Sequence, residues 1–167
     1  KTGGPCGTSR VCSIDPPVTP APFRAAPSRH GESIPAVANA PETLHPALAK
    51  ALAERGYSTL TPVQQAMLDP ANAGADLLVS AQTGSGKTVA FGMAVAPTLL
   101  GDRPQFAEPD KPEGLVIAPT RELALQVRRE LDWLYAGAGA VSASCVGGMD
   151  QRTERRALER GAHIVVG

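Results

Sequence analysis

The chain has 167 residues, 43% of them hydrophobic, which fits one domain with a sizeable core and leaves no room for two complete catalytic domains. Sixteen basic and sixteen acidic residues cancel, so the overall charge does not indicate a nucleic-acid binder, and any such contact must come from a local surface. No run approaches the roughly 18 to 20 apolar residues of a membrane span, and the three cysteines form no metal-binding pair. We therefore expect a cytoplasmic protein with reduced cysteines and without a membrane anchor.

Residues 1–40 form a proline-rich arm. The arm contains seven prolines with scattered Ser, Thr and Gly, and it shows no sustained helical or strand period. Such a segment cannot bury enough apolar surface to offset the entropy lost on ordering. We expect residues 1–40 to be disordered and residues 41–167 to form the folded domain, and the sequence does not indicate which partners the arm binds.

Two short helices are predicted between residues 44 and 70. His45 can cap a helix that Pro46 begins and Gly56 ends, with an apolar face at Leu44, Leu48 and Leu52. Thr61 opens a second helix that Pro70 must close.

Strands and helices then alternate. Buried or alternating apolar runs predict strands at 76–81, 115–118, 141–146 and 163–166, and helical spacing predicts helices at 87–100, 121–135 and 150–160. Residues 101–114 combine prolines with charges and are typical of an exposed connection. This order favours parallel βαβ units, that is, an α/β doubly wound parallel sheet with its ligand at the carboxyl ends of the strands.

The glycine-rich segment AQTGSGKT lies between a predicted strand and a predicted helix, the context in which a P-loop binds phosphate. Gly84 and Gly86 let the backbone curl so that its N–H groups converge on phosphate oxygens at a helix N-terminus. Lys87 can reach the β- and γ-phosphates, and the Thr88 hydroxyl suits Mg²⁺. The alternative is a strand-to-helix turn without a ligand, which the Gly-Lys-Thr ending disfavours. The predicted nucleotide-binding residues are Ala81, Gln82, Thr83, Gly84, Ser85, Gly86, Lys87 and Thr88.

Four motifs in family order, and one strand-like segment after them, resemble those of DEAD-box RNA helicases. AQTGSGKT is similar to motif I of superfamily-two helicases, and PTRELA at 119–124 is similar to motif Ia of the DEAD-box family. The segment from Gly56 to Gln64 resembles the Q motif, Gly147 and Gly148 resemble the GG motif, and HIVVG at 163–167 resembles the strand before the TPGR segment. The resemblance covers residues 44–167 and implies a P-loop NTPase fold, the first RecA-like domain, incomplete at its C-terminal end.

The resemblance also implies ligands and roles. ATP and Mg²⁺ are the implied cofactors, with Lys87 and Thr88 in catalytic positions, Thr88 on the metal, and Tyr57 and Gln64 on the nucleotide. RNA is the implied partner, held by Pro119, Thr120, Arg121, Gly147 and Gly148. Leu60 departs from the family pattern, which has proline there.

Structural alternatives stay open for several of these residues. Thr61 and Gln64 form a capping-box pattern, which alone would justify both residues. Thr120 can simply cap the following helix. Gly147 and Gly148 can form an ordinary strand-to-helix turn.

Hydrolysis in this family needs an Asp-Glu-Ala-Asp motif, and the chain contains no Asp-Glu dipeptide. We therefore expect a helicase fragment that binds ATP and is inactive alone. The alternative is a non-catalytic nucleotide-binding or truncated regulatory module.

Overall fold

The computed structural model describes residues 10–13 and 37–167. The predicted disorder of residues 1–40 therefore falls mainly on residues 1–9 and 14–36, which lie outside the described residues. Within the arm, the backbone of Arg10–Ser13 forms strand β1, which we did not predict. Residues 37–40 lie against the start of the predicted Q motif, where the Ala38 N–H donates to the Ser58 carbonyl at 2.8 Å.

Both predicted short helices are confirmed. Helix α1 spans Pro46–Glu54, and its cap His45 accepts a hydrogen bond from the Ala47 N–H. Helix α2 spans Pro62–Met67 with Thr61 as its cap, and Pro70 begins a separate 3-10 turn at Pro70–Asn72. Proline therefore begins each of these elements, where its missing N–H leaves no helical bond unmade.

The predicted alternation of strands and helices is also confirmed. The elements in chain order are β2 (Leu77–Ser80), α3 (Lys87–Leu100), β3 (Gly114–Val116), α4 (Arg121–Leu134), β4 (Ser142–Ser144), α5 (Gln151–Glu159) and β5 (Ile164–Val166). A 3-10 turn at Ala136–Ala138 follows α4. Each of the four predicted strands is shorter than its apolar run.

All strand pairing among the described residues is parallel. Strands β3, β5 and β4 form one sheet in that order, with Val165 opposite Leu115 on one side and Ala143 on the other. Strand β2 pairs with β1 in a second sheet, with Val11 opposite Leu78. The fold is thus α/β with a parallel sheet of three strands, incomplete, and β2 is not hydrogen-bonded to that sheet.

The main core lies between helices α1, α3 and α4 and one face of the three-stranded sheet. Gly92 lets α3 approach α4, because a Cβ at this position would lie 2.7 Å from Leu134 Cδ2. Tyr135, at the end of α4, is fully buried and its hydroxyl donates to the Gly92 carbonyl at 2.6 Å. Tyr135 therefore serves the packing of α3 against α4.

The opposite face of the sheet is only partly covered. Ala157 of α5 packs against Ala143 and Val165, but the Leu115 side chain of β3 is 67% exposed. The apolar run at 76–81, which we expected to be a buried strand, is likewise half buried: Leu77 and Val79 face a small apolar cluster, and Leu78 points outward. The expectation that β2 is a buried strand was wrong, because among the described residues a helix packs against one face of β2 and not against the other.

Residues 101–114 form the expected exposed connection, but it is anchored at its centre. The Phe106 ring lies 4.4 Å from the His163 ring and 6.0 Å from the Tyr135 ring, measured between centroids. His163 Nε2 also lies 3.0 Å from the Ala107 carbonyl oxygen.

No helix in the described part of the chain is long and apolar enough to cross a membrane.

Candidate functional site

The glycine-rich loop joins the end of β2 to the start of α3, as the sequence predicts. Gly86 caps α3 with a φ of 87°, and Gly84 has a φ of 82°. Both values lie in the left-handed region, which glycine adopts without the steric cost of a Cβ. The Ser85 N–H donates to the Gln82 carbonyl at 3.3 Å, which closes the turn.

Lys87 places its charge inside this loop. Its Nζ donates to the Ala81 carbonyl at 2.5 Å and to the Gln82 carbonyl at 2.6 Å. The ammonium group is therefore held at the N-terminus of α3, where the helix dipole and the lysine both favour a bound anion. A cation beside the N–H groups at the start of a helix is an arrangement suited to a phosphate group.

The helix α2 segment contacts the loop directly, a contact that the sequence spacing did not reveal. The Thr61 hydroxyl donates to the Ser85 carbonyl at 3.0 Å. The Gln64 side chain is completely buried beside Gly86, since a Cβ on Gly86 would lie 2.6 Å from Gln64 Nε2. The predicted adenine-side residue and the predicted phosphate loop are therefore neighbours.

Two polar atoms at this contact are buried without a hydrogen-bond partner among the described residues: Gln64 Nε2 and Ser85 Oγ. An unpartnered buried donor or acceptor typically costs about 1–3 kcal/mol, so such groups mark a place where a ligand or a small movement can supply the missing bond. Both atoms belong to residues predicted to bind nucleotide.

The capping-box interpretation of Thr61 and Gln64 is also confirmed. The Gln64 Oε1 accepts from the Thr61 N–H at 2.9 Å, and the Thr61 hydroxyl accepts from the Gln64 N–H at 3.4 Å. Capping uses the oxygen of the Gln64 amide and leaves its nitrogen free. The two interpretations therefore do not compete for the same atom.

Leu60 stands where the family pattern has proline, and its backbone N–H, which a proline would lack, forms a hydrogen bond. Its backbone N–H donates to Asn39 Oδ1 at 2.9 Å. This bond joins residues 37–40 to the segment that enters α2. Asn39 itself has a φ of 60°, a conformation that asparagine tolerates better than most residues.

The structure describes Tyr57 in contact with α4. Its ring lies 6.1 Å from the Trp133 ring in a stacked arrangement, and the Arg55 guanidinium lies 4.7 Å from the centre of the Trp133 ring. Burial, followed by the charge of Glu130, raises the pKa of Tyr57, while Arg55 acts in the opposite direction. Trp133 serves packing here, and Tyr57 shares that role.

The predicted RNA-binding residues come together at one edge of the three-stranded sheet. Thr120 caps α4 by accepting from the Leu123 N–H at 3.2 Å, so its capping role is confirmed. The Arg121 guanidinium lies within 3.5 Å of the Gly148 carbonyl oxygen and 3.2 Å from Met149 Sδ. The exposed turns after β3 and β4 are therefore joined by Arg121, and Pro119 and Gly147 lie in the same two turns.

Thr88 lies in the first turn of α3, directly after the lysine. The described residues contain no cluster of three or more His, Cys, Asp or Glu side chains that could hold a metal ion. A single hydroxyl fits Mg²⁺ carried by a nucleotide, because this ion keeps several waters and phosphate oxygens in its shell. The donor set does not suit a metal bound by the protein alone.

Comparison with protein families gives a match over residues 61–167 to the model described as DEAD/DEAH box helicase. Among curated relatives, the chain is 40% identical over 125 residues to the ATP-dependent RNA helicase RhlB of Xanthomonas oryzae, covering 74% of this chain and 22% of the relative. It is 41% identical over 124 residues to the ATP-dependent rRNA helicase RRP3 of Meyerozyma guilliermondii, covering 74% of this chain and 25% of the relative. The chain therefore spans about a quarter of the length of these relatives.

Solved structures give the same fold. The RNA-helicase Prp28 from Chaetomium thermophilum, solved bound to ADP, matches with a TM-score of 0.65 and 35% sequence identity, covering 81% of this chain and 33% of that chain. The yeast DEAD-box splicing factor Prp28 matches with a TM-score of 0.65 and 26% identity over 74% of this chain and 31% of that chain.

Proposed function

The chain belongs to the DEAD/DEAH box helicase family, and we propose that it forms the ATP-binding part, and a portion of the RNA-binding surface, of an ATP-dependent RNA helicase. The observation that carries this proposal is the contact between α2 and the phosphate loop. Thr61 bonds to Ser85, and Gln64 lies against Gly86, so groups suited to a base and groups suited to phosphates share one site.

In this proposal each residue has a role that its environment supports. The backbone from Ala81 to Gly86 and the Lys87 ammonium bind the phosphates, and the Thr88 hydroxyl supplies an oxygen to Mg²⁺. Gln64 reads the edge of the adenine with its free amide nitrogen while its oxygen keeps α2 capped. Tyr57 supports this site indirectly, through its packing against Trp133 on α4.

The RNA-binding role rests on the second group of residues. Pro119 and Thr120 lie in the exposed turn after β3, Arg121 begins α4, and Gly147 and Gly148 lie in the exposed turn after β4. Because Arg121 contacts Gly148, these residues form one surface at the carboxyl ends of the strands. Hydroxyl, guanidinium and backbone groups of this kind hold a sugar-phosphate backbone without reading sequence. We propose that RNA crosses this edge in the whole protein, in the cytoplasm.

We further propose that these 167 residues bind ATP without hydrolysing it. The acidic residues that position the metal and the attacking water in this family are an Asp-Glu-Ala-Asp motif, which this stretch does not contain. Hydrolysis and unwinding therefore belong to the whole protein. A non-catalytic nucleotide-binding module is the second candidate, because the phosphate loop and Gln64 are groups suited to binding and not to hydrolysis.

The decisive experiment is a titration of the chain with ATP, with and without Mg²⁺, against the Lys87→Ala variant. Removing the ammonium group takes away the main positive charge of the loop, and we expect ATP affinity to fall at least about tenfold, equivalent to about 1.4 kcal/mol. Lys50→Ala is the matched control, because Lys50 is an exposed lysine on α1.

Equal affinities for ATP in the Lys87→Ala and wild-type chains would contradict the proposal. Titration with GTP tests the role of Gln64, since a site that reads adenine must bind ATP more tightly. Hydrolysis by the 167-residue chain at a rate abolished by Lys87→Ala would refute the binding-only interpretation.

A further inference from the structure

Helix α5 presents four arginines to solvent: Arg152, Arg155, Arg156 and Arg160. Every residue of this helix is exposed or partly exposed. Its contact with the sheet runs through Ala157, which is partly buried. The polar surface of α5 is therefore open to a partner along most of its length.

The acidic side chains of this segment already have partners. Asp150 caps the helix and accepts hydrogen bonds from its first turn. The Glu154 carboxylate accepts from the Val146 N–H at 2.9 Å, and Glu159 forms an ion pair with Arg155 at 2.8 Å. Among the described residues, the carboxylates of this segment therefore engage one of its four arginine side chains and leave the other three.

Arg156 and Arg160, which we call the outer arginine pair, are among these three. In the described part of the chain their side chains form no hydrogen bond and no ion pair. Residues four apart lie on the same side of a helix, so the two guanidinium groups are neighbours and repel each other. Leu158, the exposed apolar residue of α5, is two residues from each and so lies on the opposite side. A protein segment that covered Leu158 would leave the pair open, and an anion that bridged the pair would relieve its repulsion.

The outer arginine pair continues the surface that we propose for RNA. The Arg121 guanidinium contacts the Gly148 carbonyl and Met149 Sδ, and Met149 directly precedes Asp150, the cap of α5. Residues 147–153, which join that turn to the helix, are all exposed. From the cap the pair lies about 9 to 15 Å along the helix axis, at a rise of about 1.5 Å per residue. A strand that crosses the turn can therefore reach the pair without leaving exposed polar surface.

We infer that the outer arginine pair is a second RNA contact: the strand that crosses the sheet edge at Arg121 continues past the turn at Gly148 and along α5, where the two guanidinium groups bind phosphates. The inference rests on the proposed function, because it extends the surface proposed there for RNA. Phosphates repeat along a strand, and arginine binds phosphate through two parallel hydrogen bonds, so two neighbouring arginines suit a polyanion of this kind. At about 3.4 Å per nucleotide, about 15 Å of helix adds about four nucleotides to the bound length.

The test compares two single-stranded RNA oligonucleotides in fluorescence anisotropy titrations of the full 167-residue chain. One has about five nucleotides and spans the sheet edge, and the other has about ten and also reaches along α5. R156Q/R160Q removes both charges and keeps good helix formers. We expect it to bind the longer RNA about tenfold more weakly than the wild type, and the shorter RNA within about twofold. The slope of log affinity against log salt for the longer RNA should fall by about 1.4, the value for two phosphate contacts to a single strand.

Three controls accompany this variant. K50Q/R129Q removes the same charge from exposed positions on α1 and α4, and it must bind both RNAs as the wild type does. R156K/R160K keeps the charges, and it must recover most of the affinity for the longer RNA. Polyglutamate, added as a competitor of equal charge, must displace the longer RNA far less effectively than unlabelled RNA does.

Three results each overturn the inference: an equal loss of affinity for both RNAs in R156Q/R160Q, an equal loss in K50Q/R129Q, or displacement by polyglutamate as effective as by RNA, which would assign the pair to an acidic peptide. If the wild-type chain binds both RNAs and R156Q/R160Q binds them equally well, this inference fails and the proposed RNA surface stands. If the wild-type chain binds neither RNA, the RNA-binding part of the proposed function fails, and this inference fails with it.

Discussion

At the scale of single residues, the site depends on side chains that perform two tasks with different atoms. Gln64 caps α2 through its oxygen and presents an unpartnered nitrogen beside Gly86. Thr61 accepts from the Gln64 N–H and donates to the Ser85 carbonyl. The cap and the proposed nucleotide site are thus built from the same residues, so a substitution that disturbs one is expected to disturb the other.

Tyr135 gives a residue-scale prediction about pH. Burial raises the pKa of this phenol well above its ordinary value of about 10, because the charged form would lose its water. The folded state therefore binds the proton more tightly than the unfolded state, and the stabilisation by Tyr135 is complete below about pH 10 and is lost as the pH rises above that value.

The variant that tests this is Tyr135→Phe, which removes the ionisable hydroxyl and with it the hydrogen bond to the Gly92 carbonyl. We expect it to be less stable than the wild type by about 1 kcal/mol at pH 8, the typical worth of one such bond. The difference should shrink above about pH 10, since the phenylalanine cannot ionise. Urea unfolding at pH values from 8 to 11 measures this, and a constant or growing difference would refute the assignment.

At the scale of elements, polar side chains fix how the helices and strands sit against one another. Arg128 of α4 donates to the hydroxyl groups of Ser142 and Ser144 on β4, at 3.1 and 3.0 Å. Phe106 anchors the connection between α3 and β3 against His163 at the start of β5. The parallel pairing of β3 and β4 with β5 brings the turns after β3 and β4 to the same end of the sheet, where we propose the RNA-binding surface.

The prediction at the scale of elements concerns Arg121, because its guanidinium joins those two turns. We expect Arg121→Ala to weaken binding of a single-stranded RNA oligonucleotide and to lower the slope of log affinity against log salt by about 1, as for the loss of one phosphate contact. Fluorescence anisotropy at several salt concentrations measures both quantities.

Arg129→Ala is the control for this experiment, since Arg129 is an exposed arginine on the same helix. If both variants bind RNA alike, Arg121 does not contact RNA. If the wild-type chain binds no RNA even at low salt, the proposed surface is insufficient in these 167 residues.

At the scale of the whole molecule, the prediction concerns an apolar surface that the described residues leave exposed. A groove of about 470 Å³ runs between α3 and β3 and is lined by Phe91, Val95, Leu99, Leu115 and Ile117, among others. Ile117 is 79% exposed. With a formal net charge of zero, little electrostatic repulsion opposes association through such a surface.

We therefore predict that the 167-residue chain self-associates, and that the double substitution L115K/I117K reduces this association. Two charges on the groove make its burial against another molecule costly. Light scattering over a range of protein concentrations measures the effect, which should be at least a severalfold fall in scattering at equal concentration. V141K/L158K adds the same charge at other exposed apolar positions, and an equal fall in that variant would show that net charge alone is responsible.

The sequence by itself determined the elements of residues 41–167 and the residues of the candidate site. Caps such as His45 and Thr61, the glycines of the phosphate loop, and the apolar spacing in α4 all act within one or two helical turns, so their effect can be predicted from neighbouring residues. For the same reason the order of the strands and helices, the P-loop and the family resemblance were predictable.

Only the tertiary structure decided which of these pieces meet. The contacts of Thr61 with Ser85 and of Arg121 with Gly148, the position of Tyr57 against Trp133, and the pairing of β1 with β2 join residues far apart in the chain. No local pattern encodes them, because strand pairing uses backbone groups that every residue carries and packing depends on the shapes of both partners. The half-exposed strand β2 is the clearest case: its apolar residues predict a strand, but whether each face is buried depends on what the rest of the molecule places against it.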